Sequence, residues 1–357
     1  MTTTPTPYEI ALIPGDGIGP ELVDSAVQVL EAAAGPDIAL RFTTEDAGAD
    51  TYRRTGSALS DETFARLSGY AGILKGPVGL PEVRKPDGTE GGLLGGILRG
   101  GLDTYVNERP MTLLPGIDRP LRGTAPIDYV IVRENTEGLY LARGLGVGND
   151  HACTDQLLMT RPGVERVVRY AFELARTRDG APADGVRRVT CVDKSNVLRT
   201  FAFFRQIFDE IGEQYPDIER DYRYADAAGH DLVANPSHFD VLVMENFLGD
   251  ILSDVGAATI GGLGMCPAGN IGDGTAYFEP IHGSAPTIAG RDLANPTSQI
   301  LAAAMLADRI GAAGLAQRVR AAVRAAYEGG HIRILPTGSP EAGTAAATRA
   351  IIDALGD

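Results

Sequence analysis

The sequence predicts an α/β fold. Short apolar runs of strand length, rich in Val and Ile, alternate along the chain with longer segments whose apolar residues recur at helical spacing. A length of 357 residues permits a sizeable core and suggests two domains. Hydrophobic content of 44% with 22% charged residues is ordinary for a soluble globular chain.

Tyr8 to Ile13 reads as the first strand, followed by the turn Pro14-Gly15-Asp16-Gly17-Ile18-Gly19-Pro20. Leu22, Val23, Ala26, Val27, Leu30 and Ala33 then repeat with helical period; Pro20 suits the first turn and Gly35-Pro36 ends the segment. Strand, glycine turn and helix invite a dinucleotide-binding reading, but the glycines fall as G-x-G-x-G rather than G-x-G-x-x-G. The turn alone carries little weight for that function.

Ile73 to Pro110 is the least regular stretch. Lys75-Gly76-Pro77 follows a short strand, and six glycines between Gly91 and Gly101 surround Leu93, Leu94, Ile97, Leu98 and Arg99. Arg109 follows, and a strand over Tyr129 to Val132 delivers Arg133, with Tyr140 seven residues on. Three arginines brought together form a fork-shaped receptor for carboxylates that lysine does not match; kept apart they are three surface ion pairs. Spacing does not choose between the two.

Further on, Arg188 to Val192 reads as strand, Val197 to Tyr215 as helix and Tyr222 to Tyr224 as a short strand. Lys194 and Asp226 each sit just beyond a strand end. Val241 to Met244 has the length and branching of a buried strand, and Gly249 opens a helical segment in which Asp250 and Asp254 lie four residues apart. On a helix their carboxylates share one face and repel unless a cation lies between them. A divalent ion such as Mg2+ or Mn2+, which takes hard oxygen ligands and keeps open positions, answers that need; a solvated acidic face is the plain alternative. Three Ala-rich helices close the chain near 297–310, 314–327 and 340–355.

Composition excludes several functions. A formal net charge of −15 with no basic stripe argues against nucleic-acid binding, so an anionic substrate must be captured by a few local Arg and Lys. Cys153, Cys191 and Cys266 are too few and scattered for a disulfide framework or zinc cluster. No basic-then-apolar leader and no apolar run of spanning length is visible, so no membrane association is expected and a cytoplasmic location is.

Together these segments resemble the metal-dependent β-decarboxylating dehydrogenases: the isocitrate, homoisocitrate, 3-isopropylmalate and tartrate/D-malate enzymes. The matching motifs are IPGDGIGPE (13–21), NERP (107–110), VRENTEGLY (132–140), VDKSNVL (192–198), ENFLGDILSD (245–254) and FEPIHGSAP (278–286), continued by RDLANP (291–296). Any one is weak; together, in the family's order and over nearly the whole chain, they are specific.

The resemblance implies an isopropylmalate dehydrogenase-like α/β fold that is not Rossmann. A large cofactor-binding domain would be built from residues 1–104 and 261–357, and a small domain from 105–260 would carry the metal and substrate site and the dimer interface. It implies a homodimer with shared active sites. Asp250 and Asp254 would be metal ligands, joined by Asp226 of the second subunit. Arg99, Arg109 and Arg133 match the substrate-carboxylate arginines, with the ten-residue gap between the first two preserved. Lys194, from the partner, would help remove the hydroxyl proton, and Tyr140 would protonate the enol carbon; Asp226 stands with them in the catalytic set. Ile13, the run His282-Gly283-Ser284-Ala285-Pro286-Thr287-Ile288, and Asn295 would form the cofactor cleft.

The activity implied is oxidative decarboxylation of a 3-substituted (2R)-malate. Leu93, Gly95 and Gly96, shortly before Arg99, occupy the positions that read the C3 substituent. Leu93, Leu94, Ile97 and Leu98 lean toward an alkylmalate, KGP (75–77) and RENTE (133–137) toward the isocitrate side, and the sequence leaves the choice open. Thr287-Ile288 stands where NADP enzymes of the family carry Lys-Tyr, so NAD is expected over NADP. A noncatalytic regulatory subunit of an isocitrate dehydrogenase-type assembly is the alternative; such subunits lose catalytic groups, and here Tyr140, Lys194, Asp226, Asp250 and Asp254 are all present.

Overall fold

The computed structural model of the chain describes residues 7–36, 38–86, 88–118, 121, 125–142 and 145–356. The first half carries strands β1 (Tyr8–Ile13), β2 (Leu40–Thr44), β3 (Gly72–Lys75), β4 (Val106–Thr112) and β5 (Asp128–Glu134). A small hairpin, β6 (Val147–Asn149) and β7 (Ala152–Thr154), follows. Then come β8 (Arg188–Asp193), β9 (Glu219–Tyr224), β10 (Val241–Met244), β11 (Pro267–Ile271) and β12 (Ala276–Pro280). The helices are α1 (Gly19–Ala34), α2 (Ala49–Thr55), α3 (Asp61–Leu67), α4 (Gly95–Gly101), α5 (Arg161–Thr177) and α6 (Arg199–Gly212). They continue with α7 (Ala225–Ala234), α8 (Asn246–Thr259), α9 (Thr297–Arg309), α10 (Ala313–Glu328) and α11 (Thr344–Asp353).

Ten strands form one sheet in the order β2-β1-β3-β12-β11-β4-β5-β10-β8-β9. The strands at both ends of the sheet pair in parallel, but β11 runs antiparallel to both β12 and β4, and β4 antiparallel to β5. A doubly wound dinucleotide-binding sheet has neither this order nor an antiparallel centre. The non-Rossmann expectation therefore holds.

The glycine turn shows the same thing locally. The amides of Asp16 and Ile18 donate to the carbonyls of Pro77 and Ser284, both at 2.8 Å. Gly17 has a φ of 58°, and a Cβ there would run into the Ser284 carbonyl. The buried Asp16 carboxylate accepts from the amides of Ala49 at 2.9 Å and Gly79 at 2.7 Å. These groups staple neighbouring segments together and are not available to a pyrophosphate.

Apolar burial supplies the rest of the fold. α5 has Pro162 in its first turn and Thr160 as its cap, and it buries Val164, Val168 and Phe172. With Phe204 and Phe208 of α6 these cover Val130, Val189 and Val243 on one face of β5, β8 and β10. Truncating a side chain such as Phe172 to Ala would cost about 3–5 kcal/mol.

The predicted elements are recovered with shifts at their ends. The helix expected from Val197 begins at Arg199, and Val197 is 69% exposed. The irregular stretch contains α4, whose glycines had masked it. α8 begins at Asn246, not at Gly249, because the Glu245 carboxylate caps it by accepting the Leu248 amide at 3.2 Å. Among the described residues no helix is long and apolar enough to cross a membrane.

Candidate active site

Parallel pairing of β10 with β5 and β8 aims α8 at the ends of those strands. Gly249 sits inside the helix because Arg133 crosses it: a Cβ there would lie 2.5 Å from Arg133 Cγ. The crossing places Arg133 against the α8 side chains. Its Nη1 donates to Asp250 Oδ1, while Nε and Nη2 donate to Asn246 Oδ1 at 3.0 and 2.8 Å. The Tyr140 hydroxyl donates to Asp250 Oδ2 at 2.7 Å, and the Arg133 guanidinium lies 5.7 Å from the centre of the Tyr140 ring.

Arg109 arrives from β4, which pairs antiparallel with β5. It donates to Asn107 through Nε and to Ser253 through Nη1, and its Nη2 lies 3.8 Å from Asp250 Oδ1. Burial, then the charges of Arg109 and Arg99, draws Arg133 down to about 9, which still leaves it charged at neutral pH. Burial raises Asp250, but Arg133, the Tyr140 hydroxyl and Arg109 outweigh it and hold the carboxyl below its ordinary value. Asp254, one turn on, is pushed up by burial and by the charge of Asp250 despite Arg109. The pair is thus unevenly compensated: Asp250 has cations, and among the described residues none makes an ion pair with Asp254.

Arg99 comes from α4 and faces Tyr277 and Glu279 of β12, which feel its charge. Glu279 accepts from Asn270 at 2.9 Å and is 2.5 Å from Lys75, itself only 2% exposed. Burial would raise Glu279; Lys75 and Arg99 lower it on balance. The leucines before Arg99 divide by helical phase. Leu94 and Leu98 are fully buried against Ile13, Ile73 and Tyr277, so they are core and line no pocket. Leu93 is 45% exposed and packs toward Gly79, whereas Gly95 is one turn from Arg99 on the same face. Gly96 is exposed. Of the two readings the sequence left open, the bare backbone at Gly95 is what lies nearest Arg99, with Leu94 and Leu98 turned into the core.

Lys194 Nζ donates to Asp226 Oδ1 at 2.6 Å, and the Asp226 side chain is 73% exposed. Among the described residues of the one chain, no three His, Cys, Asp or Glu side chains are grouped to hold a metal. Asp226 is thus not brought to Asp250 and Asp254 within the chain. Val197 and Leu198 beside Lys194, Val233 on α7 and Ile251 on α8 are exposed apolar residues on elements of this region.

A cavity of about 820 Å3 is lined by Ile18, the 261–264 glycine-rich loop, His282, Gly283, Ala285, Ile288, Asn295 and the 334–339 turn. Its size suits a cofactor or small ligand. Ser284, Pro286 and Thr287 belong to the same wall segment without lining the cavity, and Ser284 Oγ donates to the Gly79 carbonyl. The Ile13 side chain does not line this cavity; it is fully buried in the core under α4 because β1 is an inner strand. Burial lowers His282, leaving the imidazole neutral near pH 7; its ring nitrogens face Gly283 O at 3.0 Å and Ser298 Oγ at 3.2 Å.

Several site residues went unnoticed in the sequence. Asn107 and Asn135 both donate to Asn270 Oδ1, at 2.7 and 2.9 Å, joining Arg109 to the Glu279–Lys75 pair through buried amides. Strand alternation places Asn107 on the face of Arg109, which was a usable signal. Ser253 and Asn246 lie within one turn of Asp250 and were legible on the same helical argument. The Asn270 contacts cross more than 130 residues and were not legible.

The isocitrate/isopropylmalate dehydrogenase family model matches residues 9–354. The 3-isopropylmalate dehydrogenase of Clavibacter sepedonicus is 42% identical over 335 residues, covering 89% of this chain and 91% of that one. Among solved structures, isocitrate dehydrogenase from Methylococcus capsulatus superposes with a TM-score of 0.86 at 39% identity, covering 98% and 100% of the two chains. A β-decarboxylating dehydrogenase from Thermococcus kodakarensis gives 0.79 at 37% identity, covering 98% and 96%. With its motifs in order, this sheet topology and a family match over nearly its whole length, the chain belongs to the isocitrate/isopropylmalate dehydrogenase family of β-decarboxylating enzymes.

Proposed function

We propose that this protein oxidises and decarboxylates a 3-substituted (2R)-malate to a 2-oxo acid and CO2, using NAD and Mg2+ or Mn2+. The observation that carries this reading is the convergence of Arg133, Arg109 and Tyr140 on Asp250, next to the under-compensated Asp254. Clustered buried guanidiniums are costly without anions, so the arrangement suits a dianionic substrate.

The residues fit the two groups the reaction requires. Asp250 and Asp254 offer hard oxygens on one helix face, and Asp226 of a second subunit would complete the set. Burial and the charge of Asp250 raise the Asp254 carboxyl, an effect a bound cation would offset. A bound divalent ion would supply Lewis-acid stabilisation of charge developing at the C2 oxygen. NAD in the 820 Å3 cavity would accept the hydride from C2.

The chain's own residues do the remainder. Arg99, Arg109 and Arg133 would hold the two malate carboxylates and orient C2 and C3. Lys194, reaching in from the partner, would take the hydroxyl proton, and Tyr140 would deliver a proton to C3 after CO2 leaves. Asn246 fixes Arg133, Arg133 keeps Asp250 in place, and Asp250 in turn holds the Tyr140 hydroxyl. The exposed Lys194–Asp226 pair with its apolar neighbours supports a homodimer with shared sites. We divide the chain into domains of 1–104 with 261–357, and 105–260, meeting where β11 pairs with β4.

The test is NAD reduction with Mg2+ or Mn2+ across D-malate, tartrate, 3-isopropylmalate, larger 3-alkyl and 3-aryl malates, isocitrate and homoisocitrate. Turnover of a 3-substituted malate is expected. Silence across the panel overturns the reading and favours a noncatalytic regulatory subunit.

A further inference from the structure

Tyr277 is fully buried on β12, two residues before Glu279 and on the same face of the strand. Its ring packs under α4 with Leu94, Leu98 and Ile13. A phenylalanine would fill that apolar space equally well. The hydroxyl nevertheless stands close enough to the Arg99 guanidinium for each to influence the other's protonation, yet among the described residues neither Tyr277 Oη nor Arg99 Nε makes a hydrogen bond of full distance and angle. Buried polar atoms are rarely left so, and two on side chains this close point to a pair that tightens in another state.

The neighbourhood explains why the pair is incomplete. Thr104 Oγ1 and Asn135 Oδ1 are also buried without partners, and both are tied to the Arg99 segment. The Thr104 amide donates to the Arg99 carbonyl at 3.0 Å, and Asn135 donates to the Thr104 carbonyl at 2.9 Å. Above Arg99 the space is open: the nearest atoms to a Cβ built on Gly95 are those of the Arg99 guanidinium itself, at 3.9 Å. Glu279 is already committed to Lys75 and Asn270, so it does not fix the arginine's pose.

We propose that Tyr277 is a positioning residue for substrate binding, its hydroxyl accepting the Arg99 Nε–H when the substrate draws the guanidinium into place. The two terminal nitrogens of Arg99 are then left for a carboxylate in a bidentate fork. This rests on the assignment of Arg99 as a substrate-carboxylate arginine.

Tyr277→Phe tests it, because the ring and the core packing stay. The expected result is a rise of about tenfold in KM for the preferred malate, with kcat within about twofold, KM for NAD unchanged and Tm unchanged or higher. An unchanged malate KM overturns the proposal, whether Tm rises (a merely tolerated hydroxyl) or falls (a structural one). Arg99→Lys removes Nε while keeping the charge, so Tyr277→Phe should add nothing to KM in that background. A full additional effect there shows that the hydroxyl does not act through Arg99 and overturns the proposal. A wild-type protein silent on every 3-substituted malate removes the reaction assignment and this inference together; an active wild type with an unaffected Tyr277→Phe variant removes this inference alone.

Discussion

Tyr140 and Asp250 are joined by a hydrogen bond of 2.7 Å, although 110 residues separate them. The bond aims a phenol, a weak acid with a proton to give, at the same carboxylate that Arg133 holds. Tyr140→Phe keeps the ring against Phe247 and removes the proton donor. We expect kcat for the overall reaction to fall about 10²–10⁴-fold, with much smaller changes in KM. Steady-state assays of NADH formation, with KM measured for malate and NAD separately, check this; wild-type kcat in the variant would exclude Tyr140 as the acid.

Asp254 is expected to bind metal without being needed for folding. In the wild type, saturating Mg2+ should raise Tm, since a ligand at a hundred times its Kd stabilises by about 2.7 kcal/mol. Asp254→Asn should abolish the shift while leaving the metal-free Tm nearly unchanged. Asp250→Ala is the harsher substitution: it strands Arg133, 1% exposed, and should cost about 3–5 kcal/mol even without metal. Differential scanning fluorimetry with and without Mg2+ separates the two.

Shared sites make a mixing experiment decisive. Lys194→Ala and Asp254→Asn proteins should each be inactive. Random re-association gives mixed dimers with one intact site, so about a quarter of wild-type activity should return. No recovery, with mixed dimers demonstrated by native mass spectrometry, would argue against a site completed across the interface.

NAD should be preferred over NADP by at least about tenfold in kcat/KM. If NAD occupies the cavity as proposed, Ile288 in its wall offers a 2′-phosphate no donor, and Arg291, the nearest cation in sequence, leans on the Thr287 carbonyl at 3.4 Å. A clear NADP preference in parallel assays would sink this.

Glu108, next to Arg109 but facing the opposite side of the sheet, accepts from the Tyr170 hydroxyl at 2.5 Å and is raised by burial despite that bond and the charge of Arg178. A carboxyl whose folded value lies above its unfolded one binds more protons in the folded state, so stability declines as pH rises between the two values. Glu108→Gln retains an acceptor for Tyr170 and removes the ionisation. Its Tm should exceed that of the wild type by a few degrees at pH 7, with the difference shrinking below pH 5. Equal Tm values at both pH settings would contradict the shift.

Much of the site was legible in the sequence because its parts are local. Asp250 and Asp254 share a face by helical period, Arg133 follows from a strand end, and the departure from a Rossmann turn from the spacing of Gly15, Gly17 and Gly19; Arg109, which lies inside β4, came only with the family motif. Gly249 misled for a physical reason: a glycine reads as a helix boundary, whereas here it makes room for a side chain from another strand.

By itself the sequence determined the alternation of strands and helices, the family and the set of charged groups, because periodicity and residue chemistry are properties of short stretches. The tertiary structure decided which groups meet. Leu94 and Leu98 became core while Gly95 faces Arg99, since a helix rotates each residue by about 100° and only its packing partner says which face is inside. Long-range pairing put Asn270 between Asn107 and Asn135, set the Tyr277 hydroxyl beside Arg99, and among the described residues kept Asp226 apart from Asp250 within one chain. These contacts depend on sheet order, and sheet order is fixed by burial summed over the whole chain rather than by any one segment.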